Sequence, residues 1–265
     1  MTASPLTVEI TERLRLLALQ PPDVQTLGAA LRLLAKWRSA LVSNTLSQRS
    51  GTRILSGPFA GMDYGVGASE GSQTARLMGC YEASLAPVID AIVASEPALI
   101  MDVGCAEGYY AVGLARRLPK TRILARDASE KAKALCTALA ALNGVADRVE
   151  IGGLVTHADF DIALGTDTVV ICDIEGGETE LLDPVAAPGL THARILVECH
   201  DCITPGITAT LTARFAPSHQ VRRIDRALDA SGLPPWMEEL SDLDRLLALW
   251  EWRTGPTPWL WMTPK

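Results

Sequence analysis

The sequence predicts an α/β fold, doubly wound around a mostly parallel seven-stranded sheet with an antiparallel C-terminal strand and an N-terminal helical cap. Three observations carry this. Short apolar runs alternate with stretches of helical periodicity between residues 98 and 199, the pattern of a parallel sheet covered by helices on both faces. One run ends in an acid and a glycine-rich turn that opens directly into a helix, the place where such sheets bind ligands. Two more strand-like runs lie in the tail, where a closing antiparallel strand fits.

In chain order, residues 7–20 and 23–48 have helical spacing and are separated by Pro21-Pro22, whose rings and missing amides end a helix. Residues 51–79 are rich in glycine and serine, lack regular periodicity and are too long for an ordinary connection. We expect a mobile binding loop there, with Gly57-Pro58-Phe59-Ala60-Gly61-Met62 and Tyr64 closing over a bound acceptor. Residues 81–95 read as a helix. Strands are then expected at 98–103, 122–125, 149–151, 168–172 and 195–199, and helices at 109–118, 129–142 and 177–182. The tail reads as strands 220–224 and 259–262 flanking a helix at 241–250. The expected organisation is a cap and loop over residues 1–78 and a ligand-binding domain over 79–265.

Composition excludes several classes. With 265 residues the core is large enough to need no disulfide, and the six cysteines are scattered through apolar stretches. Residues 1–20 lack a basic region followed by an apolar block, so a reducing, cytoplasmic setting is expected. No apolar run approaches the roughly 20 residues that cross a bilayer. The formal net charge of -7 argues against a nucleic-acid partner. Residues 1–53 are locally basic, with seven cations against Glu9, Glu12 and Asp23, and are expected to dock on an acidic neighbour within the chain.

The strand Leu99-Ile100-Met101 ends in Asp102, then gives Gly104-Cys105-Ala106-Glu107-Gly108 before a helix at Tyr109. Small residues let the backbone approach a ligand, and the helix start offers free amides. A fixed charge on Asp102 suits a ligand carrying an ammonium and a sulfonium and would repel a pyrophosphate. The dinucleotide pattern G-x-G-x-x-G fails at its third and sixth positions, because the window from Gly104 reads G-C-A-E-G-Y. Asp127 ends the next strand, 19 residues beyond Gly108, where a carboxylate can hold both ribose hydroxyls. It could equally cap the helix that follows.

On these residues the chain resembles the class I, Rossmann-like S-adenosylmethionine-dependent methyltransferases, whose loop reads D-x-G-x-G-x-G, with Ala106 in place of the middle glycine. Asp173-Ile174-Glu175-Gly176-Gly177-Glu178 and the run I-L-V-E-C-H-D ending at Asp201 resemble the FkbM-like group. The resemblance implies transfer of a methyl group from S-adenosylmethionine to an oxygen of a small-molecule or sugar acceptor. The expected donor site comprises Tyr81, Asp102, Gly104, Cys105, Ala106, Glu107, Gly108, Asp127, Ala128 and Asp173. Its alternatives are attack on the aminobutyryl chain, releasing methylthioadenosine, and a non-catalytic cofactor-binding subunit.

The expected catalytic groups are His200, Asp173 and Glu198, at the ends of adjacent strands. His200 would be the base, since an imidazole of pKa about 6.5 is neutral at pH 7. A second reading makes Asp173, Glu198 and Asp201 ligands for magnesium. Cys199 and Cys202 form a lone C-x-x-C, for which core packing is the simpler reading. No N-P-P-[YF] motif follows the fourth strand, which also speaks against a nucleic-acid substrate. Trp236, Trp250, Trp252, Trp259 and Trp261 crowd the tail, where interior packing or contact with a second copy in a homodimer is expected.

Overall fold

The computed structural model describes residues 4–69 and 71–265; residues 1–3, and Glu70 within the expected loop, lie outside the described residues. The helices are α1 (Pro5–Ala18), α2 (Val24–Ser50), α3 (Gln73–Met78), α4 (Ala86–Ser95), α5 (Tyr109–Arg117), α6 (Glu130–Leu142), α7 (Glu178–Leu181), α8 (Ile207–Phe215) and α9 (Asp242–Leu249). The strands are β1 (Leu99–Val103), β2 (Arg122–Arg126), β3 (Val149–Gly152), β4 (Thr168–Cys172), β5 (Arg194–Glu198), β6 (His219–Ile224) and β7 (Trp259–Pro264). They form one sheet in the order β3-β2-β1-β4-β5-β7-β6. Strand β7 is antiparallel to both neighbours and the other pairs are parallel, so the fold is the Rossmann-like one expected.

The apolar runs sort themselves by strand periodicity, since alternate side chains point to opposite faces. Ile100, Ile123, Ala125, Val169, Ile171 and Leu196 pack on one face with α4, α5 and α6. Met101, Val103, Leu124, Val170, Ile195 and Val197 pack on the other with α8. Strands β1 and β4 are buried along their whole length, which is why they read as unbroken apolar runs. Their parallel pairing brings the ends of β1 and β4 side by side, Val103 opposite Cys172.

Helix starts follow local chemistry. Ser4, Asp23, Ser72, Ser129 and Ser241 each accept an amide of the first turn, the ordinary N-cap bond. The basic cap docks on the acidic tail as expected, through Arg38 on Asp244 at 2.6 Å and Arg49 on Glu239 at 3.5 Å. Among the described residues no helix is long and apolar enough to cross a membrane.

The segment expected as a mobile loop is instead packed. Ile54 N–H donates to Met62 O at 2.9 Å, closing a small antiparallel turn, and α3 completes the segment. Ile54, Phe59, Met62, Tyr64, Leu77 and Met78 are all buried. Phe59 lies directly on Gly113 of α5, where a Cβ would come within 2.5 Å of its ring. The segment hid from periodicity because its apolar side chains fill separate holes in the helical layer and follow no repeat. One apolar cluster runs from Val42 through this segment to Trp259, crossing the expected division at residue 79. Helix α8 was also absent from the sequence reading, because Thr208, Thr210 and Thr212 mask its stripe of Ile207, Leu211 and Phe215.

Phe59→Ala should therefore behave as a core truncation, lowering unfolding free energy by about 3–5 kcal/mol in urea titrations while the transition stays single. A lid residue would move it by less than about 1 kcal/mol.

Candidate active site

Two cavities open over the C-terminal ends of the parallel strands, where doubly wound sheets place ligands. The larger holds about 620 Å³ and is lined by Gly104 and Ala106 of the first loop, Asp127 and Ala128 after β2, residues 153–157 after β3, and Asp173, Ile174, Glu175 and Gly177 after β4. The smaller holds about 250 Å³ and is lined by Tyr81, Glu198, His200, Glu251, Trp252 and Arg253, among others. Ala106, Asp173 and Glu175 belong to both walls.

Gly104, Ala106, Asp127, Ala128 and Asp173 thus meet at one cavity as expected. Asp127 does two jobs: its Oδ2 accepts Ala106 N–H at 2.9 Å and its Oδ1 accepts Ser129 N–H at 2.7 Å. The carboxylate fixes the first loop and the start of α6 while lining the cavity. The hydrogen bond to Ser129 is the helix-start role expected of this residue.

Other residues of the loop turn inward. Asp102 is 2 % exposed and burial pushes its carboxyl up to about 7, against the pull of the Ala111 amide at the start of α5. It braces the turn and does not line the cavity. Glu107 is fully buried: its oxygens accept Tyr64 O–H, Ser69 N–H at 3.0 Å and Ser69 O–H at 2.7 Å. Burial alone would raise its pKa, yet Arg76, 3.1 Å away, holds it below the ordinary value. Glu107 therefore ties residues 64–76 to the first loop. Cys105 is buried among core side chains, and Gly108, with φ of 93°, caps α5. Neither lines the larger cavity. Tyr81 lines the smaller cavity, its ring 3.9 Å below the Arg76 guanidinium.

His200, in the wall of the smaller cavity, forms a buried dyad with Glu178, which does not line the cavity itself. Glu178 Oε1 lies 2.6 Å from His200 Nδ1 and also accepts Gly176 N–H at 3.1 Å. That bond directs Nε2 toward Glu175 at 3.3 Å, Asp173 at 3.6 Å and Glu198 at 3.9 Å. Burial opposes charging of the imidazole, but Glu178, Glu198 and Glu175 outweigh it and raise its pKa. His200 is therefore a stronger base than the unperturbed imidazole expected from sequence. Asp173 moves the opposite way to a free carboxylate: burial, then Glu198, drive its pKa well up.

The magnesium set is not assembled. Asp201 caps α8, accepting Gly206 N–H at 3.0 Å and Thr208 N–H at 3.2 Å, and Glu198 is taken by Arg253. The group that does converge is Asp173, Glu175 and His200, one ligand atom of each lying within 4.8 Å of the others. A donor set containing an imidazole departs from the all-oxygen shell that magnesium prefers. Cys199 is core and Cys202 exposed.

Arg253 is the group sequence reading missed. Its guanidinium binds Glu82, Glu198 and Glu251, the last at 2.9 Å, and Thr257 Oγ1 at 2.5 Å. All three carboxylates are almost fully buried. Burial, reinforced by Glu198, pushes Glu82 up to about 7 despite the arginine. Nothing local in W-R-T-G-P marks Arg253; the only signal was an unusual count of acids in apolar surroundings. Backbone conformation adds another. Of the five non-glycine residues with positive φ among the described residues, Ala106 (48°), Glu175 (54°) and Trp252 (68°) line these cavities, and Glu82 (48°) holds Arg253.

No family model and no curated protein matches the chain. Among solved structures, it is similar to an O-methyltransferase from Bacillus cereus in complex with S-adenosylhomocysteine, at 14% identity and a TM-score of 0.46, covering 66% of this chain and 77% of that one. It is also similar to the O-methyltransferase TomG of Streptomyces achromogenes, at 16% identity and 0.45 over 66% and 76%. A third is cofactor-bound Rv0187 from MTB, at 14% identity and 0.47 over 99% and 98%.

Arg253→Met should leave three buried carboxylates without their cation and cost about 3–5 kcal/mol. The Glu82 carboxyl, already pushed up to about 7, then stands further above the unfolded value near 4.3. The deficit should accordingly grow as pH rises from about 4 through 7, measured as the gap in melting temperature from wild type at pH 5 and 8. Ala106→Gly should raise stability by about 1 kcal/mol, because glycine adopts this φ without strain.

Proposed function

We propose that this chain is an S-adenosylmethionine-dependent methyltransferase acting on a hydroxyl group of a small polar acceptor. The observation that carries the reading is the shared wall: a cavity sized for a nucleoside cofactor meets, at Ala106, Asp173 and Glu175, a smaller cavity lined by His200, whose imidazole is held by buried Glu178. Methyl transfer needs donor and acceptor in line across one boundary, with the protein supplying alignment and a base.

The lining of the larger cavity fits the donor. Asp127, Glu175 and Glu180 present carboxylates, while Arg126, the arginine of the wall, is paired with Glu150 at 2.8 Å. That balance favours a ligand carrying positive charge. Asp127 would hold the ribose hydroxyls, and the loop from Gly104 to Ala106 would pass beneath the amino-acid part. When bound, S-adenosylmethionine supplies an electrophilic methyl group on its sulfonium. His200 Nε2 takes the proton of the acceptor hydroxyl as the oxygen gains the methyl group, and Glu178 steadies the imidazolium that results. Asp173, with its raised pKa, keeps a proton and can donate a hydrogen bond to the acceptor.

Calorimetric titration with S-adenosylhomocysteine tests the donor site. Wild type should bind, and Asp127→Ala should weaken binding at least tenfold, about 1.4 kcal/mol. No binding by wild type would overturn the proposal. A screen of hydroxylated acceptors, read by release of S-adenosylhomocysteine, tests the reaction; release of methylthioadenosine would sink it. With an acceptor in hand, His200→Ala should lower kcat by about 10²–10⁴. The base must be neutral and its pKa is raised, so kcat/KM should climb with pH on a limb centred above about 6.5. Glu178→Gln should move that limb to lower pH, since the imidazolium loses its main partner.

A further inference from the structure

Helix α2 carries an apolar stripe that is covered along only half its length. Val24, Leu27, Leu31, Leu34, Arg38 and Val42 follow one another three or four residues apart and so lie on one face. From Arg38 onward the stripe is covered: Arg38 binds Asp244 of α9 and Val42 is buried. Before it the stripe is bare, with Val24 89 %, Leu27 65 %, Leu31 70 % and Leu34 38 % exposed. Leu243 and Leu246, on the helix that Arg38 grips, are also exposed.

We propose that this half of α2 is the interface of a twofold homodimer, in which the stripe packs antiparallel against the same stripe of a second copy. The area is right. The four side chains of the bare half expose on the order of 450 Å² per copy, so a pairing that also covers Leu243 and Leu246 of α9 would remove on the order of 1,200 Å², at the entry to the range of stable interfaces. The face is self-complementary: pairing about residue 29 sets Val24 against Leu34 and Leu27 against Leu31, the spacing of interlocking helices. Small residues sit at the crossing, where Gly28 meets Ala30. Gly28 stands inside a 27-residue helix, where glycine costs about 1 kcal/mol relative to alanine. Its Cβ would meet nothing within 4 Å, so nothing in its own described chain requires the vacancy. The face bears no charge from Val24 to Ala35 at positions 24, 27, 28, 31, 34 and 35, so a charged partner would find no counter-ion there, whereas an identical stripe needs none.

Sedimentation equilibrium on the full chain decides the matter. Wild type should sediment at twice 28.3 kDa. Leu27→Glu/Leu31→Glu, exposed in the single copy, should keep the wild-type circular dichroism spectrum and raise the dimer dissociation constant by at least about a hundredfold, because each copy would bury unpaired carboxylates. A wild type that stays monomeric at a concentration on the order of 100 micromolar would overturn the proposal. So would a double variant that dimerises as tightly as wild type, since its contact must lie elsewhere. Flotation of monomeric wild type with phosphatidylcholine–phosphatidylserine vesicles would give the stripe to a lipid surface and equally overturn it.

Discussion

The two cavities depend on one close approach, that of Gly104 to the carbonyl of Asp173. Parallel pairing sets the ends of β1 and β4 side by side, and the chain then leaves β1 in a left-handed turn at Gly104, φ 82°. A Cβ at that point would lie 1.7 Å from the Asp173 oxygen, a distance no side chain survives. Glycine there is thus a requirement of two strands at once. The first loop can pass over the end of β4 only because residue 104 is bare, and that passage makes Ala106 and Asp173 neighbours in a common wall.

Around this contact the site is held by buried charge contributed from distant parts of the chain. Arg76 clamps Glu107 and thereby the segment 51–79 to the first loop; Arg253 gathers Glu82, Glu198 and Glu251, joining the start of the α4 region, the end of β5 and the tail. Such clusters stabilise less than their short distances suggest, because each ion loses its water. What they confer is position. Burial, then neighbouring acids, raise the pKa of Glu82 and Asp173, and the acids raise that of His200 against its burial. One arrangement therefore sets the protonation of groups on both sides of the common wall.

The sheet was legible from residues 98–199 because parallel strands buried on both faces are simply apolar, and their ends are marked by Asp102, Asp127 and Asp173. Two acids of the first loop misled: Asp102 and Glu107 were expected to face a ligand yet turn inward, Glu107 to Arg76 and Asp102 toward the start of α5. The packed segment 51–79 was illegible because irregular apolar residues between glycines look like a loop whether or not they fill holes. Arg253, about 170 residues from one of its partners, could not be read from any local pattern, and a cation's role among buried acids is set by tertiary placement alone.

Positive φ at Ala106, Glu175 and Trp252, all non-glycine, places backbone strain of about 1–3 kcal/mol per residue at the cavities. In a marginally stable fold that is a considerable share of the total, and it gives stability and use opposed interests. A search for more durable forms of this chain, by selection or by design, would find its easiest gains by relaxing these three positions, and would thereby loosen the wall on which the two cavities meet. Robust variants should instead be sought in the layers far from it, where tightening the fold leaves that geometry alone.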